Sequence, residues 1–199
     1  MGIVVNDSQN LFMLQTRSNS YAFGIDNQGL VRHLYWGSRI NAMEDFEMPE
    51  LAEVSTNDPV YEITKEEFPV YGGLRYKEHC LKVTFADGTR DVAYEYVNYE
   101  IQKNEQCEEL VIILKDKHYA LVMELHYKIY EAYDLMERFV VLKNESTEVM
   151  QIEKLHSGQF HVPYEGLNFR NVHGHWGAEQ QKFVQKVDYG KIIFENSPM

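Results

Sequence analysis

The sequence is short of basic residues and contains no long apolar run. Among its 199 residues, 19 Lys and Arg are outnumbered by 31 Asp and Glu, which gives a formal net charge of −12. A chain of this charge repels both a phosphate backbone and an anionic bilayer, so neither nucleic acid nor a membrane is an expected partner. No segment approaches the roughly 18 consecutive apolar residues of a membrane span, and no basic start with an apolar run precedes Asn6. These absences predict a cytoplasmic protein.

Cysteine is equally scarce. Cys80 and Cys107 stand far apart and form no Cys-x-x-Cys pair, so neither a disulfide framework nor a thiolate zinc site is expected. A His-x-His pair, His173 and His175, could place two imidazoles on one face of a strand, with His161 or Glu179 as a third ligand. The same spacing occurs in many loops that bind no metal, and we expect neither a metal nor a cofactor.

Apolar and aromatic residues are plentiful by contrast. The chain is 44% hydrophobic and 13% aromatic and has 14 tyrosines, a composition typical of a globular protein rich in strands. Every second residue between Tyr119 and Tyr130 is apolar, which predicts a strand with Leu121, Met123 and Leu125 on its buried face.

Alternation of the same period recurs along the chain. Apolar residues alternate at 81–85 and 92–96 on either side of Asp87-Gly88, which predicts a β-hairpin. Further strands are predicted at Leu11–Leu14, Tyr21–Ile25, Leu30–Tyr35, Leu110–Leu114, Glu137–Lys143, Val149–His156 and Lys191–Glu195. No stretch of about a dozen residues holds a helical stripe. The pattern predicts that residues 1–199 form one all-β unit, an antiparallel β-sandwich.

The segment from Asn41 to Glu67 shows neither period and is acidic. A loop longer than about 15 residues is uncommon in a compact domain unless it is functional or mobile, so this segment is a candidate edge of a binding site. A solvated excursion without a role is the alternative. Acidic neighbours such as Glu66-Glu67 and Glu108-Glu109 are predicted to be solvated charge, because sequence neighbours on a strand point to opposite faces. No catalytic residue is nominated.

Five segments carry a resemblance to a known family. They are Gly29–Gly37 (GLVRHLYWG), Glu67–Gly72 (EFPVYG), Ala86–Asp91 (ADGTRD), Tyr127–Arg138 with its Tyr130-Glu131 pair, and His173–Gly177 (HGHWG). In this order they resemble the amino-terminal domain of family 36 α-galactosidases, which are glycoside hydrolases. The resemblance covers nearly the whole chain.

The resemblance implies a supersandwich of large antiparallel sheets that precedes a catalytic (β/α) barrel. The family's two catalytic carboxylates lie in that barrel, and its amino-terminal domain is longer than 199 residues. We therefore expect an incomplete domain that is inactive alone. Its implied partners are the barrel and, through the parent enzyme, α-galactosides such as melibiose and raffinose. Uncovered strands near residues 192–194 predict a homo-oligomer.

The resemblance also singles out Trp176. An indole in a polar loop with glycines beside it offers a flat apolar face to a sugar ring together with an N–H donor, and the family lines its sugar subsite with the matching tryptophan. We expect Trp176 to be exposed and to contact substrate; the alternative is that it plugs the end of the sandwich. Trp36, at the end of a predicted strand, is expected in the core.

Two departures from the family pattern affect substrate recognition. The family carries a substrate-contacting aspartate in a Pro-x-Leu-Asp arrangement, whereas this chain reads Pro-Glu-Leu-Ala at 49–52. The neighbouring Glu53 is the candidate substitute. Ala178-Glu179-Gln180 stands where the family commonly has Arg-Glu-Arg.

These observations leave three alternative hypotheses for the function. The first is a non-catalytic domain that packs on a barrel and shapes its α-galactoside site. The second is a free-standing carbohydrate-binding module that uses the Trp176 loop and the segment from Asn41 to Glu67. The third is a metal-dependent sandwich enzyme that uses His173 and His175.

Overall fold

The computed structural model describes residues 2–43, 46–48, 65–72, 78–162 and 166–188. The chain divides into two compact units, Met1–His161 and Val162–Met199. The described residues form antiparallel strands, which confirms the all-β prediction. Their one helical element is a 3₁₀ turn at Glu131–Tyr133, and no helix among them is long and apolar enough to cross a bilayer.

The first unit is built on two four-stranded meanders. One sheet joins β1 to β4 in chain order and the other joins β6 to β9, while β5 pairs with β10 in a small separate sheet. The strands are β1 Ile3–Asn6, β2 Leu11–Gln15, β3 Asn19–Ile25, β4 Val31–Ser38, β5 Leu81–Thr84, β6 Tyr94–Lys103, β7 Glu108–Asp116, β8 Leu121–Tyr130, β9 Leu135–Asn144 and β10 Gln151–Leu155.

The two large sheets share one hydrophobic core. Phe12 and Phe23 from the first sheet belong to the same buried cluster as Leu110, Ile112 and Leu125 from the second. Burying each such side chain contributes about 1.5–3 kcal/mol to folding. Because both sheets supply inward-facing residues to this cluster, the unit is an antiparallel sandwich, as predicted.

Strand β8 confirms the alternation read from the sequence. Its inward residues Leu121, Met123 and Leu125 are buried, as are Tyr127 and Ile129 further along. All five join the shared core, so the period of two identified the buried face correctly.

The hairpin predicted at 81–96 is wrong. The turn at Asp87-Gly88 forms, with the Gly88 N–H donating to the Phe85 carbonyl at 2.9 Å. The flanking strands separate, however, because β5 pairs with β10 and β6 pairs along its whole length with β7. A ladder between two long strands offers β6 more hydrogen bonds than the four-residue β5 could supply.

The sequence predicts a loop over the surface for the segment from Asn41 to Glu67, and its described ends follow this only in part: Asn41, Ala42 and Glu47 are exposed, whereas other residues are buried. Met43 joins a second buried cluster with Leu11 and Met13, and Phe46 and Met48 pack against it. At the other end Glu66 and Glu67 are 2% and 0% exposed. The middle of the segment, from 49 to 64, lies outside the described residues.

The second unit contains a long hairpin that the sequence did not suggest. Its strands are β11 Asn168–His175 and β12 Ala178–Lys186, paired antiparallel. Both are rich in polar residues and show no clean alternation, which explains why the period failed to identify them. The predicted strand Lys191–Glu195 and the proposed self-association segment at 192–194 lie outside the described residues.

Candidate functional site

Trp176 lies at the tip of the β11–β12 hairpin. Residues His175 and Ala178 are the last cross-strand pair, so only Trp176 and Gly177 connect the strands. The indole is 95% exposed. The expectation that Trp176 is exposed is thereby confirmed, while its contact with substrate stays a prediction.

Glycines and one carboxylate shape this tip. Gly177 has φ +82°, in the left-handed region that favours glycine. A Cβ on Gly174 would lie 2.8 Å from the Ala178 carbonyl oxygen, so the close approach of the two strands requires glycine there. The Gly177 N–H donates to Glu179 Oε1 at 3.0 Å, and this bond lowers the pKa of Glu179. The tip therefore presents the indole on a defined turn.

The histidine pair of the same strand does not assemble a metal site among the described residues. The register of β11 shifts between His173 and His175, which breaks the regular alternation that would align their rings. His161 instead places Nε2 2.9 Å from the Glu66 carbonyl oxygen. Within the described ranges no group of three or more His, Cys, Asp or Glu could hold a metal ion. Glu53, the other nominated substrate contact, lies outside those ranges.

A buried polar cluster, missed by the sequence reasoning, is centred on the Glu67 carboxylate. The Tyr21 hydroxyl donates to it at 2.7 Å and the Tyr127 hydroxyl at 3.0 Å. His33 Nδ1 lies 2.8 Å from Oε1, and Arg138 Nη1 lies 2.8 Å from Oε2. We call these five residues the Glu67 cluster. The prediction that Glu66-Glu67 is solvated charge is wrong because the fold supplies these partners.

Electrostatics in the Glu67 cluster favour the ionised pair. Burial by itself would raise the pKa of Glu67, but Arg138 and the bonds from His33 and Tyr21 bring it below its ordinary value. Burial likewise opposes the charge of Arg138, yet Tyr127 and Glu67 raise its pKa. The pKa of Tyr21 and of Tyr127 is raised, first by burial and also by the carboxylate. Both hydroxyls therefore remain donors to Glu67.

The cluster joins three of the five segments that carry the family resemblance. His33 belongs to Gly29–Gly37, Glu67 begins Glu67–Gly72, and Tyr127 and Arg138 bound the fourth segment. A neighbouring pair extends the network, since Arg32 Nε donates to Asp26 Oδ2 at 2.7 Å with both side chains buried. The available signal was an acidic residue at the head of an otherwise apolar motif, Glu-Phe-Pro-Val.

Trp36 is not in the core as expected. It is 43% exposed and packs edge-on against Tyr21, with ring centroids 6.2 Å apart. The ring centroid of Phe160 lies 5.7 Å from that of Trp36. The indole thus stands at the rim of the sandwich beside the Glu67 cluster.

Comparison with known proteins identifies a family for the chain. The model of the Glycosyl hydrolase family 36 N-terminal domain matches residues 29–198. Probable alpha-galactosidase G of Aspergillus terreus is 25% identical over 194 residues, which cover 90% of this chain and 26% of that protein.

Two solved structures share the fold. The α-galactosidase of Lactobacillus brevis matches with a TM-score of 0.80 and 23% identity over 94% of this chain and 28% of its own. The α-galactosidase AgaB of Geobacillus stearothermophilus matches with a TM-score of 0.82 and 20% identity over 96% of this chain and 29% of its own. The chain spans about a quarter of the length of the relatives it matches. It belongs to the Glycosyl hydrolase family 36 N-terminal domain family.

Proposed function

We propose that this domain is the non-catalytic N-terminal part of an α-galactosidase, that it packs on a (β/α) barrel, and that Trp176 helps to shape the sugar site there. The observation that carries the proposal is the exposure of Trp176 on a two-residue turn. A large indole held at a defined turn and left uncovered is typical of a residue that a ligand or a partner surface covers.

The substrate class follows from the relatives. Structures of two substituted forms of AgaA from Geobacillus stearothermophilus contain raffinose and stachyose. Because this chain shares the fold and the family of such enzymes, we propose terminal α-galactosides as the substrates of the protein that carries it. Retaining hydrolysis of these sugars needs two carboxyl groups about 5–5.5 Å apart, and the barrel would supply both.

The Glu67 cluster has a supporting role in this proposal. It connects β3, β4, β8 and β9 with the Glu67 segment through hydrogen bonds and an ion pair at the edge of the sandwich that carries Trp36. A rigid scaffold places site residues more reproducibly than a mobile one does.

The first test is the reading frame that follows the Met199 codon. We expect it, or an adjacent gene, to encode a barrel with paired carboxylates. In the barrel-bearing protein, Trp176→Ala should lower kcat/KM for 4-nitrophenyl α-galactoside about tenfold through lost ring stacking. Absence of any barrel-coding sequence would overturn the proposal, and so would unchanged kcat/KM in the variant.

A further inference from the structure

A cavity of about 360 Å³ opens at the edge of the sandwich. It lies within the first unit, and its walls include Trp36, Phe160, Tyr21, Arg138, Asp134 and Asn19. Its volume is within the range of small-molecule pockets, about 300–1,000 Å³. We call it the Trp36 cavity.

Two aromatic rings form its apolar wall. Trp36 is 43% exposed and Phe160 is 52% exposed, and their ring planes are tilted by 48°. The Arg138 guanidinium lies 5.4 Å from the Phe160 ring centroid, and the Tyr21 ring packs edge-on against Trp36. Both exposed rings are therefore held in place by residues of the Glu67 cluster rather than left free to rotate.

Polar groups line the remaining walls. Two backbone carbonyls hold the Arg138 guanidinium in position: Nη2 donates to the Glu67 carbonyl at 2.6 Å and Nη1 to the Gln159 carbonyl at 3.2 Å. Its buried Nε has no hydrogen-bond partner among the described residues. Asp134 accepts the Ser18 N–H at 2.9 Å and the Ser18 hydroxyl. Those bonds lower its pKa to about 2, so the carboxylate is ionised at neutral pH and can accept further hydrogen bonds.

The charges select the kind of ligand. Glu67 neutralises Arg138, which leaves Asp134 as the uncompensated charge on the cavity wall and makes an anion unfavourable. A fully apolar molecule would leave the remaining hydrogen-bonding capacity of the Asp134 carboxylate unused. A neutral molecule that combines a flat C–H face with several hydroxyls matches both the two exposed rings and the hydrogen-bonding capacity of Asp134.

We propose that the Trp36 cavity binds a neutral hexose unit, with the C–H face of the ring against Trp36 and Phe160 and its hydroxyls bonded to Asp134 and Asn19. This site goes beyond the proposed function, because it requires neither Trp176 nor a barrel. Removing Trp176 leaves it intact, so the two proposals succeed or fail separately.

The 199-residue chain is suited to a direct test, because it contains two tryptophans. In the Trp176→Phe variant, Trp36 is the single remaining tryptophan, so tryptophan emission reports on the cavity alone. We expect methyl α-D-galactopyranoside to change this emission along a saturable curve. Adding Phe160→Ala should weaken the apparent affinity at least fivefold, whereas Tyr71→Ala, which removes a partly exposed aromatic outside the cavity, should not.

The controls separate binding from bulk solvent effects. Glycerol at equal molarity supplies hydroxyls without a ring and should give only a linear change in emission. If Phe160→Ala proves unstable by circular dichroism, Asp134→Asn replaces it, since Asn tolerates the left-handed φ of +55° observed at this position. A linear response to the methyl galactoside would overturn the proposal, and so would unchanged affinity in both cavity variants.

Discussion

Arg138 Nη1 lies 2.8 Å from Glu67 Oε2, and the two side chains are 3% and 0% exposed. This pair lies between the two sheets, where Tyr21 from β3 and Tyr127 from β8 donate to the same carboxylate. A buried ion pair adds little net stability relative to a well-packed apolar pair, but removing one partner leaves an uncompensated charge that costs about 3–5 kcal/mol. The main energetic consequence of the pair is therefore the cost of removing only one of its two partners.

The first prediction concerns the difference between removing one partner of this ion pair and removing both. Arg138→Met should lower the free energy of unfolding by about 3–5 kcal/mol, because it leaves the Glu67 carboxylate buried and unpaired. Glu67→Gln should also destabilise, because Arg138 then loses its counter-charge. The double variant should be less destabilised than the sum of the two, by about 0.5–3 kcal/mol in a urea-unfolding cycle. Additive effects would show that the two charges do not interact as the structure indicates.

The second prediction is a dependence of stability on acidity. The folded pKa of Glu67 lies below its unfolded value of 4.5, so its contribution is fully present above that pH and is lost as the pH falls through the folded pKa. Wild type should lose stability between about pH 5 and about pH 3 more steeply than Glu67→Gln does. Asp134 and Glu153, each with a pKa of about 2, add to the slope in both proteins.

The matched control for this experiment is Glu148→Gln. Glu148 is exposed, and its replacement should leave the wild-type pH profile unchanged. If Glu67→Gln and wild type have parallel profiles, the carboxylate does not titrate with folding.

Regular alternation made much of the fold predictable. In β8 each inward residue is apolar and each outward neighbour is less buried, so a strand and its buried face could both be assigned. The pairing of β5 with β10 instead of β6 could not, because it depends on competition between ladders formed by distant segments. The β11–β12 hairpin was not predicted because apolar and polar residues do not alternate regularly in its two strands.

The candidate site could be predicted from the sequence only in part, for a related reason. Trp176 stood out through its neighbouring glycines, which are a local signal. The burial of Glu67 depends on Tyr21, Tyr127 and Arg138, which are 46, 60 and 71 residues away in sequence. Rules about neighbouring acidic residues treat such a carboxylate as solvated, since they contain no information on partners contributed by other strands.

The third prediction tests the shared core. Leu125→Ala should reduce the free energy of unfolding by about 2–5 kcal/mol, because Leu125 is 0% exposed and lies between the two sheets. Leu135→Ala removes the same atoms from a side chain that is 53% exposed and should cost less than about 0.5 kcal/mol. Equal losses in chemical denaturation would contradict the assignment of the core.

The last prediction concerns the hairpin tip and uses a local measurement, because Trp176 lies in the smaller unit. Trp176→Ala removes a side chain that is 95% exposed, so hydrogen-exchange protection of the β11 and β12 amides should change by less than about 0.5 kcal/mol. Gly177→Val forces a β-branched residue into φ +82° and should lower protection in the same amides by about 1–2 kcal/mol. Loss of protection in Trp176→Ala would mean that the indole holds the hairpin together, and a structural role would then replace the proposed contact with sugar. Unchanged protection, combined with weaker α-galactoside binding in the barrel-bearing protein, would instead assign Trp176 to recognition, because nothing in the hairpin would depend on it.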